Sequence, residues 1–76
     1  MKKTIHSEKQ RKLSKILTQG REDAALSQTV VAKKLGKPQS FVAKYEGGER
    51  RLDVIELLKI TKILGMNIHA VLDELK

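Results

Sequence analysis

Cysteine is missing from all 76 positions, which excludes a disulfide framework and a thiolate metal site. That usage is compatible with a cytoplasmic protein. No apolar run approaches the roughly 20 residues of a membrane span. The basic N-terminus lacks the apolar core of a secretory signal. Histidine is scarce: His6 and His69 stand apart, with no ligand cluster around them, so no metal is expected. The acids lack the spacing of a paired catalytic site, no activated nucleophile is visible, and there is little room for a pocket. Gly47-Gly48 follows no strand pattern and is not part of a phosphate-cradling loop. The residues therefore point away from an enzyme, a cofactor and a small-molecule ligand. A chain this short buries only about 60% of its unfolded surface. One small domain of modest stability is expected, standing alone or supported by a partner subunit.

Positive charge is plentiful but uneven. The net charge is +7, with residues 1–21 contributing +6, residues 22–51 +2 and residues 52–76 −1. The first two thirds suit a polyanion, and the last third suits a protein contact better. Solubilising a small helical domain is the alternative reading of the same charge.

The stretch from Leu26 to Glu46 reads as two short helices joined by a tight turn. Ser27 is a good N-cap, and Val31, Ala32 and Leu35 mark one apolar face. Gly36 follows where a chain leaving a helix needs positive φ. Pro38 cannot continue the first helix but suits the entry of the second, at its first turn or just before it. Val42 and Tyr45 turn inward at i, i+3, and the Tyr45 hydroxyl is expected to find a polar neighbour. Gln39, Ser40, Ala43 and Lys44 are left on the outer face. An amide, a hydroxyl, a small apolar group and an ammonium suit the base edges and phosphates of a DNA major groove. Phe41 has two readings of equal weight: packing between the two helices, or presenting its ring to a thymine methyl or a sugar.

Taken in order, Leu26-Ser27-Gln28, Val31-Ala32, Leu35-Gly36, Gln39-Ser40, Val42, Tyr45-Glu46 and Gly48 resemble the helix-turn-helix of the XRE (Cro and lambda-repressor-like) family. Glu49-Arg50-Arg51-Leu52-Asp53 and Leu57-Leu58-Lys59-Ile60 through Leu64-Gly65 extend the likeness. It covers roughly Leu13 to Leu72 and implies an all-α, five-helix, lambda-repressor-like domain. It also implies roles for particular residues. Arg21, near the end of the first helix, would pair with Glu46 at the end of the recognition helix. Gln28 would bond a backbone phosphate and brace Gln39. The base-reading set would be Gln39, Ser40, Phe41, Ala43 and Lys44. Lys37, Arg50 and Arg51 would join Gln28 on phosphates, and such contacts fix orientation without reading sequence. Lys33 and Lys34 read as solvated, though either lies within reach of a phosphate.

Around this core, helices are expected at about residues 8–23, 28–35, 39–45, 53–64 and 68–75, with residues 1–6 a flexible basic arm carrying Lys2 and Lys3. Ser7 with Gln10, and Asp53 with Glu56, fit capping boxes. Leu13, Ile16, Leu17 and Ala24 mark the stripe of the first helix. That stripe passes through Gly20, which either costs up to about 1 kcal/mol or permits close approach of another backbone. In the fourth helix Val54, Leu57, Leu58, Thr61 and Leu64 form the expected core stripe. Ile55, Ile60 and Ile63 lie outside it. This surplus of apolar surface, continued by Ile68, Val71, Leu72 and Leu75, suggests self-association. The expected interface is Ile63, Ile68, Val71 and Leu75, in a twofold dimer. The function expected is that of a dimeric regulator, simplest as a repressor, bound to double-stranded DNA in the cytoplasm. The alternative is a module whose apolar C-terminal helices hold a toxin or other protein partner.

Overall fold

Each helix begins where a short polar residue, or proline, precedes an apolar pattern. A computed structural model describes residues 7–76, so the arm proposed for residues 1–6, with Lys2, Lys3 and His6, lies outside the described residues. Five α-helices follow: α1 Glu8–Asp23, α2 Gln28–Leu35, α3 Gln39–Glu46, α4 Val54–Leu64 and α5 Ile68–Leu75. The side chains of Ser7, Ser27, Asp53 and Asn67 each accept a first-turn backbone N–H, satisfying donors that the helix itself cannot. At α4 the capping box is complete, with Glu56 accepting in return from the Asp53 N–H at 2.9 Å. Gly36 and Gly65 end α2 and α4 in the left-handed region, at φ 72° and 71°. Ala25 does the same after α1 at φ 59°, a conformation that disfavours a residue with a Cβ. It is held there by turn hydrogen bonds from Ala25 N–H to Glu22 C=O and from Leu26 N–H to Arg21 C=O.

α2 and α3 pack on one another, α1 lies against α3, α4 and α5, and α2 also meets α4. The core among them is Leu13, Leu17, Val31, Ala32, Phe41, Val42, Tyr45, Leu57, Ile60, Leu64 and Val71. Full burial of each large aliphatic chain contributes about 1.5–3 kcal/mol, which offsets the ordering of helices too short to stand alone.

Three expectations are corrected here. Ala24 is the exposed C-cap of α1 and not part of its inner stripe. In α4 the inward stripe is Leu57, Ile60, Thr61 and Leu64; Ile60 is fully buried, whereas Val54 is 70% exposed and Leu58 also faces out. A helix apolar on several faces has more than one permissible stripe, and its neighbours choose between them. Val71, assigned to a dimer interface, is instead buried in the core of the single chain. Gly20 does permit a close approach, but by a side chain: a Cβ there would collide with Sδ of Met66, which follows α4. Among the described residues no helix is long and apolar enough to cross a membrane.

Candidate nucleic-acid interface

The turn between α2 and α3 is closed by backbone hydrogen bonds. Gly36 N–H donates to Lys33 C=O at 3.1 Å, and Lys37 N–H donates to Ala32 C=O at 2.9 Å. Pro38 then serves as the N-cap of α3 in extended conformation, with no side-chain cap bond. Its ring presets φ, and the missing N–H costs nothing at a helix entry. Gln39 and Ser40 thus open α3 on an exposed, uncapped first turn.

A polar chain ties this turn to the rest of the domain. Arg21 donates from Nε to Glu46 Oε2 at 2.7 Å and from Nη2 to Oε1 at 3.1 Å. Its Nη1 donates to Leu26 C=O at 2.9 Å, pinning the α1–α2 loop. Gln28 Nε2 donates to Glu46 Oε1 at 2.9 Å, and Gln39 Nε2 donates to Gln28 Oε1 at 2.6 Å. Four side chains therefore join the end of α1, the start of α2 and both ends of α3. The side chains of Arg21 and Glu46 are only 14% and 6% exposed. Hydrogen bonding to Glu46 raises the Arg21 pKa above its ordinary value, against the opposing effect of burial. The guanidinium therefore stays charged.

The consequence is an oriented outer face. Gln39 spends an N–H on Gln28, which leaves its carbonyl oxygen and second N–H directed by that bond. Ser40 and Lys44 are exposed beside it, and Ala43 is half-exposed. Gln28 is committed at both ends of its amide to Glu46 and Gln39, with one amide N–H remaining. Lys37 and Arg51 are exposed at the two flanks of α3.

Phe41 is not on that face. It is 9% exposed and belongs to the core, packed edge-on against Tyr45 with ring centroids 5.6 Å apart. Its assignment to base reading is corrected: the helix phase that puts Gln39, Ser40, Ala43 and Lys44 outside turns Phe41 toward α2 and α4. What its ring offers outward is a shelf for cations. The Lys37 ammonium lies 5.5 Å and the Arg50 guanidinium 4.6 Å from its centroid. Arg50 also differs from the free phosphate contact expected, because it forms a bidentate pair with Glu56 at 3.0 and 3.1 Å. The Tyr45 hydroxyl was expected to find a partner, and among the described residues it is buried without one. Burial, then the charge of Glu46, pushes its pKa up to about 12.

One anchoring residue escaped the sequence reading. Ser14 is buried in α1 and donates its hydroxyl to Tyr45 C=O at 2.7 Å, satisfying a carbonyl in the last turn of α3. Its position one residue from Leu13 on a helical stripe is a signal, but serine there reads equally as a solvated residue. Among the described residues no group of acids and histidines is arranged to hold a metal.

Comparison with known proteins agrees with this architecture. A helix-turn-helix family model matches residues 17–70. An XRE-family-like protein from Pseudomonas syringae pv. tomato str. DC3000 is 41% identical over 93% of this chain and 87% of that one, with a TM-score of 0.85. The restriction-modification controller protein C.Esp1396I, crystallised as a tetramer with its natural 35 base-pair operator, is similar at 22% identity and a TM-score of 0.80. That match spans 91% of each chain. A second crystal structure of the wild-type controller gives a TM-score of 0.81 at 22% identity, over 91% of each chain. Among curated proteins none matches the sequence.

Proposed function

The chain belongs to the XRE-type helix-turn-helix family, and we propose that it is a sequence-specific regulator of transcription that reads double-stranded DNA with α3. The observation that carries this reading is the chain Arg21–Glu46–Gln28–Gln39, which orients an exposed amide at the entry of α3. Nothing in a merely structural helix calls for so much buried polar scaffolding behind one exposed glutamine. Gln39, Ser40, Ala43 and Lys44 meet base edges, where a Gln suits the N6 and N7 of adenine and a Lys suits guanine. Lys37, Arg51 and the remaining N–H of Gln28 hold phosphates and set the docking angle. Binding beside a promoter would block it, so repression is the simplest outcome.

A twofold dimer presents two such helices to successive major grooves, about 34 Å apart. Of the four interface residues read from the sequence, Val71 is spent on the core, and Ile63, Ile68 and Leu75 remain candidates. Ile55, Leu58 and Leu72 are among the exposed apolar residues of α4 and α5, with half-buried Ile63, Ile68 and Leu75 on the same two helices. We assign the interface to that set. The tetrameric assembly of the controller protein on its operator supports an oligomer.

Selection of bound duplexes from a random pool at about 150 mM salt tests the proposal. An enriched inverted repeat with one-turn spacing is the expected result. An unenriched pool would sink sequence reading and favour a protein partner, such as a toxin, on the apolar face of α4 and α5.

A further inference from the structure

Arg50 is held in four ways. Its Nη1 and Nη2 bond the two oxygens of Glu56, Nη1 also donates to Arg51 C=O at 2.8 Å, and the guanidinium lies over the Phe41 ring. Glu56 in turn does not depend on Arg50 for its position, because the Asp53 N–H fixes Oε1 at the start of α4. Hydrogen bonding from Arg50, then from the Asp53 backbone, holds the Glu56 carboxyl below the usual carboxylate range. It is therefore an anion at neutral pH. A built acid thus faces an arginine on the loop that leaves the recognition helix, where a bare cation would meet any phosphate.

We propose that Glu56 is a specificity-determining residue that acts through Arg50: it cancels that charge in the free protein and releases it to a phosphate only when α3 is seated in its site. The inference rests on the DNA-reading function above. Sequence-independent affinity grows with the number of phosphates neutralised, so an uncancelled Arg50 would strengthen every wrong complex. The masked arginine adds little to a loosely held duplex. In the seated complex a phosphate brought against the Phe41 shelf competes with Glu56 for the guanidinium. The pair is open enough for that exchange, with side chains 39% and 22% exposed. Lys37 on the same ring feels the Glu56 charge only through space, since the direct ion pair to Glu56 is made by Arg50, and it remains the general phosphate contact.

The test is Glu56→Gln, whose amide oxygen still accepts from the Asp53 N–H but no longer carries charge. Binding to a random-sequence duplex and to the selected duplex is measured across a salt series. Wild type, Glu56→Gln, Glu56→Gln with Arg50→Gln, and Glu74→Gln are compared. Glu74→Gln adds the same charge on α5. Glu56→Gln is expected to bind the random duplex about threefold to tenfold tighter, with a salt slope steeper by about one. Preference for the selected duplex falls accordingly. The double variant returns to wild-type behaviour, and Glu74→Gln changes random binding by less than Glu56→Gln does. An unchanged slope in Glu56→Gln, or an equal gain from Glu74→Gln, overturns the proposal. Arg50→Gln alone supplies the converse check should Glu56→Gln melt. It is expected to leave random binding within about twofold, and a large loss with a flatter slope would mean Arg50 was never masked. Wild type that binds no duplex fails the DNA reading itself, and the mask with it.

Discussion

Two bidentate Arg–Glu pairs flank the recognition helix, with the same chemistry and similar distances. Arg21 meets Glu46 at 2.7 and 3.1 Å, and Arg50 meets Glu56 at 3.0 and 3.1 Å. They differ in what surrounds them. The first is almost sealed from water, and its spare donors and acceptors are taken by Leu26 C=O and Gln28. The second is partly open, capped on one side by the Phe41 ring and on the other by solvent. A buried pair cannot lose a member without stranding a charge in a low-dielectric interior, so it behaves as a joint. A half-exposed pair is always in competition with water and salt, so it behaves as a contact that can be exchanged.

The sharpest way to break this contrast is to remove one arginine at a time. Arg21→Met strands Glu46 and should cost about 3–5 kcal/mol. In a domain this size, that lowers Tm by roughly 15 °C or more. A small shift in a calorimetric scan would show the two pairs to be equivalent. Gln39→Ala comes next. It leaves the joint intact but should lose about 1–3 kcal/mol of discrimination at one base pair, read from binding to single-substitution duplexes. Arg50→Met should cost under about 1 kcal/mol in a urea titration, since Glu56 keeps both water and the Asp53 N–H.

The smallest effect at neutral pH belongs to Tyr45→Phe. Its hydroxyl lies buried near Arg21 and Glu46 yet has no hydrogen-bond partner among the described residues, so its removal should change stability by no more than about 1 kcal/mol, in either direction. Alkaline pH separates the two proteins. The folded-state pKa is raised from its ordinary 10.0 to about 12, so the unfolded chain releases its proton first. The contribution is intact below pH 10.0 and is lost as pH rises toward about 12. Tyr45→Phe should therefore lose less stability than wild type between neutral and strongly alkaline pH, measured by urea denaturation. Parallel declines would place the tyrosine in a wetter setting.

Much of this was legible because it is local. Ser27 and Asp53 act within one turn of themselves, and Gly36 needs only its own φ, so helix limits came out within a residue or so. α3 runs one residue further than expected, to Glu46, and α4 starts at Val54 with Asp53 as its cap. The Arg21–Glu46 pair and the Gln28–Gln39 brace followed from the family likeness, and the geometry carries both. Ser14, the Arg50–Glu56 pair and the bare Tyr45 hydroxyl were not visible, because each depends on which element arrives opposite.

The sequence by itself determined five helices, their caps, the turn that orients α3, and the outward set Gln39, Ser40, Ala43 and Lys44. Tertiary structure alone decided that Ile60 faces inward while Val54 and Leu58 do not, that Phe41 and Val71 belong to the core, and that Arg50 is paired. The physical reason is the same each time. Capping and turn chemistry are settled over a few residues of chain. The rotation of an all-round apolar helix, and the partner of a long cation, are settled by what packs against them.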